Sequence, residues 1–488
     1  EEGGLRVRSL AGWDLALSCF RSLSPLSLSS SFLSRPGPRA ARPPTLVTTM
    51  SRLLPALRQR IESVAIQRTG LSVRWADKHV SHFHHAWLRD HCGSRYHPSS
   101  GQRMLPLASI PLESPPLGLT IIDGLRGQTL QIQWPADESG ASRMPQVSSF
   151  DALWLRQHCY SESERRRRAI SGEAAAEGGT LPFVQVWGPE YFATAPLPHV
   201  AWHSVLSVES SANAGTVTAR EDATLQALEA LHKYGFVLVD GVSGSVEATR
   251  ELAESIGLIL PSIYGDIWDT GGELEMRYKT SEGEMIDTAY SNASLPLHTD
   301  CTYMNHPPGL QLFNCVAQSD IENDPFGPKA GCTKLADGMH VADILRKTSP
   351  EAFDFFSRTP IPFVHRAGDA CLRSRARVFS VDQATGALSE VRYNETDRDV
   401  FHCLSEAEVP AFYSHVRALE EALDKSEMHF KLTPGVALIL DNRRTLHGRV
   451  GFTGRRNLVG CYLTADDWRS NLRVKRARKL AIQEASVP

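Results

Sequence analysis

The apolar positions of this chain fall into two regimes. From Leu71 to Leu206, short apolar runs alternate with turn signals, and "LSVRWAD", "LTIIDG" and "TLQIQWPAD" each read as a strand of five or six residues. That pattern predicts a small β-rich unit. Near Arg220 the pattern changes. In "EDATLQALEALHKYG", Leu225, Leu228 and Leu231 share one helical stripe, and Gly235 supplies a C-terminal stop. A buried strand from Phe236 to Val239 follows, then a second helix from about Val246 to Ile256 that again ends in a glycine, Gly257. Strand patterns then dominate: "GLQLFNCV", "EVRYNE", "GVALILDN" and "RNLVGCYLT", interrupted by one helical stretch around Pro410 to Asp424. Two helices followed by many short strands predict a helix-buttressed β-sandwich or barrel, not a parallel α/β sheet. No internal repeat is evident in the pattern.

Length and composition sharpen this picture. With 488 residues the chain is long enough for two or three domains. The stretch Leu15 to Ile61 contains no Asp or Glu and is rich in Ser, Arg and Leu, as a transit peptide is. It points to mitochondria, whereas translation from Met50 would leave the protein in the cytoplasm. The expected organisation is a transit-like or disordered segment over 1–60, a β-rich N-terminal domain over 61–210 and a second domain over 215–488. Net charge is −3, so no overall basic field argues for nucleic acid. The dense run Arg165–Arg168 is followed by "AISGEAAAEGG" and reads as a solvated loop inside an exposed insertion, Ser161 to Thr180. Nine cysteines with no C-x-x-C pair suit a reduced compartment better than a disulfide framework. No uncharged apolar run approaches the roughly 20 residues of a spanning helix, so no membrane partner is expected.

Candidate chemistry centres on "SLPLHTDCTY" (294–303). In an extended segment residues two apart point to one side, so His298 and Asp300 can face one cation. Such a triplet alone is more often an ordinary hydrogen-bonded loop. Nearly 150 residues on, however, "GVALILDNRRTLHGR" supplies a strand and then His447 in a His-Gly-Arg turn. His-x-Asp with a distant histidine forms a 2-His-1-carboxylate triad, which leaves positions open on Fe(II) for an oxo acid and O2. In "RNLVGCYL", period-2 alternation puts Arg456, Leu458, Gly460 and Tyr462 on one face. Arg456 then lies where a 2-oxoglutarate enzyme needs a planar, two-pronged guanidinium for the distal carboxylate.

At this point the chain resembles the γ-butyrobetaine and trimethyllysine dioxygenases. The motifs are "YGDIW" (264–268), "DTAY" (287–290), "LHTDCTY" (297–303), "PPGLQL" (307–312), "CTKLADG" (332–338), "RYNETDRD" (392–399), "LILDNRRTLHGR" (438–449) and "FTGRRNLVGCYLTADD" (452–467). Further N-terminal matches are "AWLRDHC" (86–92), "IQWPAD" (132–137) and "LWLRQHC" (153–159). The resemblance implies a mainly β fold with flanking helices: a double-stranded β-helix (jelly-roll) core, a small β-rich N-terminal domain and a homodimer. It implies iron ligands at His298, Asp300 and His447, and 2-oxoglutarate contacts at Arg456 and Thr333. It also implies a trimethylammonium cage of Tyr264, Trp268, Tyr290 and Tyr462, with ascorbate as reductant. A quaternary ammonium has no N–H to donate, so aromatic faces are what can recognise it.

Asp287 separates the two substrates. The γ-butyrobetaine enzymes resemble Asn-x-Ala-Tyr here, whereas this chain has Asp287, which would repel a carboxylate and pair with the α-ammonium of trimethyllysine. Asn394 matches a substrate-carboxylate contact. The expected reaction is therefore C-3 hydroxylation of trimethyllysine, with γ-butyrobetaine hydroxylation as the alternative and a non-catalytic quaternary-ammonium binder as a third reading. The family's N-terminal zinc cluster departs here, since only Cys92 of it remains. Packing without structural zinc is expected to hold that domain.

Overall fold

The structure, a computed structural model, describes residues 60–124, 127–135, 146–171, 181–202, 219–271, 288–318, 322–367, 370–383, 386–402 and 404–485. The chain divides into two compact units at Arg168/Ala169. Residues 181–202, which the sequence pattern assigned to the N-terminal domain, therefore belong with the second unit. The reason lies in their pairing: β7 (His199–Ala201) runs parallel to β8 (Phe236–Asp240), and the amide of Trp187 donates to Asp337.

The N-terminal unit is built twice from one pattern, a repeat that the reading of the sequence missed. Strands β1 (Ile61–Ile66), β2 (Gly70–Trp75) and β3 (Val80–His84) form an antiparallel meander that leads into helix α1 (His85–Asp90). Strands β4 (Gly118–Gly124), β5 (Gly127–Gln133) and β6 (Val147–Asp151) do the same before helix α2 (Ala152–Gln157). "VSHFHHAWLRDHC" (80–92) and "VSSFDALWLRQHC" (147–159) share Val, Ser, Phe, Trp, Leu, Arg, His and Cys at matching positions. The equivalent registers agree: Leu71 and Val73 pair with Phe83 and Ser81, as Leu130 and Ile132 pair with Phe150 and Ser148. In each copy a buried indole N–H donates to the serine, Trp75 to Ser81 at 2.8 Å and Trp134 to Ser148 at 2.9 Å. The sequence separations within these bonds are 6 and 14 residues. The second copy therefore carries a longer connection, which hides the repeat from any fixed-period comparison. The basic run also differs from expectation. Residues 165–168 lie in a helix, Glu162–Ser171, whose first turn holds Glu162 and Glu164, with Arg166 paired to Glu162 one turn away at 2.5 Å.

The second unit contains a six-stranded sheet in the order β7-β8-β18-β11-β20-β9 and a four-stranded sheet in the order β10-β19-β12-β17. Their further strands are β9 (Trp268–Asp269), β10 (Leu295–His298), β11 (Leu310–Gln318), β12 (Thr333–Asp337), β17 (Met428–Phe430), β18 (Val436–Asp441), β19 (Thr445–Arg449) and β20 (Arg456–Leu463). Two hairpins, β13 (Ile361–Ala367) with β14 (Ala370–Ala376) and β15 (Phe379–Val381) with β16 (Leu388–Val391), stand apart from both sheets.

Both faces of the six-stranded sheet are buried, which explains the mostly apolar runs of its strands. Val237, Val239, Ala437 and Ile439 face one cluster. It also holds Leu225, Leu228 and Leu231 of α3 (Ala219–Tyr234), Leu252 and Ile256 of α4 (Val246–Ile256), and Trp468 of α8 (Ala465–Ala485). The alternate residues Phe236, Leu238, Leu438 and Leu440 share a second cluster with Leu335 and Leu446 of the smaller sheet. Each buried leucine there contributes about 1.5–3 kcal/mol. The expected helix ends hold: Gly257 is the C-cap of α4, and Gly235 closes α3 at φ +78°, a conformation that only glycine adopts freely; the structure adds Ser245 as the N-cap of α4. Besides α7 (Val409–Ser426), the structure adds α5 (Gly338–Thr348), α6 (Pro350–Arg358), α8 and a short helix over Pro189–Thr194, which the apolar pattern did not predict.

Candidate active site

Strand register brings the first two candidate ligands together. β10 pairs antiparallel with β19, and His298 lies opposite His447, with their rings 4.4 Å apart. A side chain at Gly448 would meet the Leu295 and Pro296 carbonyl oxygens at 2.7 and 2.8 Å, so glycine is what lets the strands close at this point. The chain leaves β10 directly after His298. Asp300 is then fixed by a side-chain amide, since its N–H donates to Asn442 Oδ1 (2.8 Å) and its carbonyl accepts from Asn442 Nδ2 (3.1 Å). Asp300 Oδ1 ends 3.1 Å from His298 Nε2 and 3.6 Å from His447 Nε2. Among the described residues, His298, Asp300 and His447 form the one group of three whose ligand atoms lie within 4.8 Å of one another.

The hydrogen bonds around the triad leave its metal-facing atoms open. His298 Nδ1 donates to the Pro296 carbonyl at 2.8 Å, which turns Nε2 toward Asp300. Asp300 Oδ2 accepts from Gln311 Nε2 (2.5 Å) and the Tyr462 hydroxyl (2.7 Å), so Oδ1 is the oxygen left for a cation. Burial opposes charge on His298, but the hydrogen bond and charge of Asp300 outweigh it and hold its pKa above the ordinary value. Burial likewise opposes ionisation of Asp300, yet His447, His298 and Tyr462 together hold it well below the usual carboxylate range. His447 is pushed down to about 3, by burial first and then by His298, so it stands neutral as a metal ligand must. Two imidazoles and one carboxylate oxygen are the donor set suited to Fe(II) with open positions.

Arg456 and Thr333 line the same cavity. The Arg456 guanidinium makes no ion pair or hydrogen bond among the described residues, and its buried Nε has no partner. Burial draws its pKa down to about 10. The Thr333 hydroxyl is buried without a partner as well. A buried cation and a buried hydroxyl left open in this way are costly unless a ligand completes them. A carboxylate has the charge and the lone pairs to do so.

The four expected cage residues also share this cavity. Tyr264 and Tyr290 stand 6.4 Å apart between ring centroids, and so do Trp268 and Tyr462. The Trp268 ring rests on Gly460, where a Cβ would come within 2.4 Å of it. Asn394 is a cavity residue whose Oδ1 accepts from the Thr396 amide (3.0 Å) and hydroxyl (2.7 Å), which leaves its N–H2 group as the donor. Asp287 lies outside the described residues. Reading the sequence missed Gln311, Asn442, Tyr303 and Arg449. Tyr303 reaches Tyr264 hydroxyl to hydroxyl at 3.3 Å, and Arg449 donates to the carbonyls of Ala289, Ser291 and Ala293 that flank Tyr290. Gln311 did leave a signal, as a single amide inside the apolar strand "GLQLF".

Comparisons with known proteins agree with this geometry. The model of the taurine catabolism dioxygenase TauD, TfdA family matches residues 197–462, and the γ-butyrobetaine hydroxylase-like N-terminal model matches residues 63–137. Trimethyllysine dioxygenase, mitochondrial, of Gallus gallus is 31% identical over 81% of this chain and 84% of its own length. Trimethyllysine dioxygenase of Meyerozyma guilliermondii is 29% identical over 85% of this chain and 95% of its own. Gamma-butyrobetaine dioxygenase of Homo sapiens is 26% identical over 84% and 95%.

Proposed function

The chain belongs to the TauD, TfdA dioxygenase family, in its trimethyllysine and γ-butyrobetaine branch, and we propose that it hydroxylates Nε-trimethyllysine at C-3. It is an Fe(II)- and 2-oxoglutarate-dependent dioxygenase of carnitine biosynthesis, and the proposal assigns it the first step. The observation that carries this reading is one cavity lined by a His-Asp-His triad, an unpaired buried arginine and four aromatic rings.

Iron, when bound, supplies the oxidising chemistry that couples oxo-acid decarboxylation to C–H hydroxylation. His298 Nε2, His447 and Asp300 Oδ1 hold it. Arg456 and the Thr333 hydroxyl receive the distal carboxylate of 2-oxoglutarate, each charge-assisted bond contributing about 1.5–3 kcal/mol. Tyr264, Trp268, Tyr290 and Tyr462 take the trimethylammonium group at about 0.5–2 kcal/mol per ring. The Asn394 amide takes the α-carboxylate and Asp287 the α-ammonium. Together they hold the C-3 hydrogens toward the metal and keep the substrate from turning. In this proposal the two sheets are the halves of a double-stranded β-helix, the protein is a mitochondrial homodimer, and ascorbate is the reductant. The acid-free stretch Leu15–Ile61 supports the compartment.

γ-Butyrobetaine hydroxylation is the second reading, favoured by the match to the human enzyme of that name. The charge of Asp287 opposes it, because γ-butyrobetaine presents a carboxylate with no ammonium beside it. A competition assay with equal trimethyllysine and γ-butyrobetaine, read by mass spectrometry, tests the choice. Hydroxytrimethyllysine is the expected product, and carnitine in excess would overturn the assignment. Asp287→Asn should lower trimethyllysine turnover far more than iron binding.

A further inference from the structure

We propose that Tyr462 couples the aromatic pocket to the metal site, with Gln311 as a fixed second holder of the same ligand. Tyr462 has two neighbours that the known roles of a cage ring do not connect. Its ring stands 6.4 Å from Trp268 in the pocket, while its hydroxyl donates to Asp300 Oδ2 at 2.7 Å. Gln311 lies opposite Tyr462 in the β11–β20 register and donates to that same oxygen at 2.5 Å. Two donors thus occupy Oδ2 and leave Asp300 a one-oxygen ligand.

The two donors differ in what they can sense. A cation resting on a phenol ring draws on the ring's electrons, and the hydroxyl then becomes a stronger donor. At Tyr462 that pulls charge out of the Asp300 carboxylate, so the metal becomes more electron-poor when the pocket is filled. The Gln311 amide has no such ring and holds its bond whether the pocket is full or empty. Tyr462 is therefore a positioning residue as well as a pocket wall. This rests on the reading that a quaternary ammonium fills the pocket, and not on which amine is the substrate.

The test uses the full chain, metal-free and without O2, with Co(II) as the metal probe and tetramethylammonium as the cation probe. Tyr462→Phe keeps the ring and removes the hydroxyl, and Gln311→Leu removes the other donor. Each should weaken Co(II) binding by about 10- to 100-fold, the usual cost of losing a ligand's hydrogen-bond partner. With 2-oxoglutarate present, tetramethylammonium should shift the visible Co(II) band of the unmodified protein and of Gln311→Leu. Tyr462→Phe should bind tetramethylammonium with an affinity within about threefold, as the ring's cation–π face is retained, yet show no shift. A full shift in Tyr462→Phe, no shift in the unmodified protein, or unchanged Co(II) affinity in both variants would overturn the proposal. A shift by tetramethylammonium without trimethyllysine turnover would instead sink the substrate assignment and leave this coupling standing.

Discussion

The N-terminal unit and the cavity of the second unit use the same residue types to opposite ends. In the N-terminal unit, His91 and His158 occupy equivalent places in the two copies. Each stacks on the tryptophan one turn back, at 4.3 and 4.2 Å, and each donates Nδ1 to that tryptophan's carbonyl, at 2.8 and 2.7 Å. In the cavity, His298 and His447 are also paired, here by strand register, but Nε2 of each turns toward one carboxylate oxygen, Asp300 Oδ1, at 3.1 and 3.6 Å. The two structural histidines, His91 and His158, satisfy Nδ1 each within its own helix. Those of the cavity converge with a carboxylate on one point, where their ligand atoms lie within 4.8 Å of one another.

The largest effect should come from exchanging the two kinds of histidine. His447→Ala should reduce turnover to below about one thousandth, roughly 4 kcal/mol of barrier, with metal binding lost in parallel. His158→Ala should leave kcat within about twofold and act on stability alone, at the level typical of a single contact. Equal losses of turnover in both variants would erase the distinction.

A second contrast sets an arginine with no hydrogen bond or ion pair among the described residues against one held by both a hydrogen bond and a ring. Arg456→Met should raise the KM for 2-oxoglutarate by about 100-fold, near 3 kcal/mol, from the loss of two charge-assisted bonds. It should not lower the melting temperature of the metal-free protein, because it removes an uncompensated buried charge. Buried Arg89 of the N-terminal unit donates to Ser114 at 2.7 Å and stacks over Trp134 at 5.3 Å. Arg89→Met should therefore destabilise the protein and leave that KM alone. A drop in melting temperature for Arg456→Met would show that the guanidinium supports the fold.

What the sequence made legible follows from how far apart the causes lie. Val246–Ile256 and the strands Phe236–Asp240 and Arg456–Leu463 could be read because their apolar spacing and flanking glycines are local signals. Helices α5 and α6 were missed. Their buried stripes, Val341, Ala342 and Leu345 and then Ala352 and Phe356, are short and find their partners in a shared cluster. The ligands were legible as motifs, but their holders were not. Gln311, on β11, and Asn442, in the turn after β18, reach Asp300 from 11 and 142 residues away. The N-terminal repeat stayed hidden behind a longer connection in one copy.

The cavity pair also titrates unequally, which sets a pH dependence. Asp300 holds the His298 pKa above its ordinary value of about 6.5, while burial pushes His447 down to about 3. A metal must expel the proton from His298, whereas His447 carries none in the neutral range. Co(II) affinity of the metal-free protein should therefore rise about tenfold per pH unit up to the His298 pKa and level off above it. Two ordinary histidines would give a hundredfold slope below about 6.5. A slope of two in a titration by pH-stat would show that the cavity does not separate them.

The smallest effect bears on the repeat itself. Trp75 and Trp134 are fully buried, and each indole N–H has a buried serine as partner, Ser81 or Ser148. Removing either hydroxyl leaves one buried N–H unmatched, so Ser81→Ala and Ser148→Ala should each cost about 1–3 kcal/mol in denaturant unfolding. The two costs should be close, because the bond lengths of 2.8 and 2.9 Å and the equivalent register nearly agree between the copies. They should also add in the double variant if each copy holds its own indole independently. Unequal costs would mean that the longer connection before β6 has changed the environment of the second copy. Neither serine variant should alter the KM for 2-oxoglutarate, since no atom in this pair is left open for a ligand.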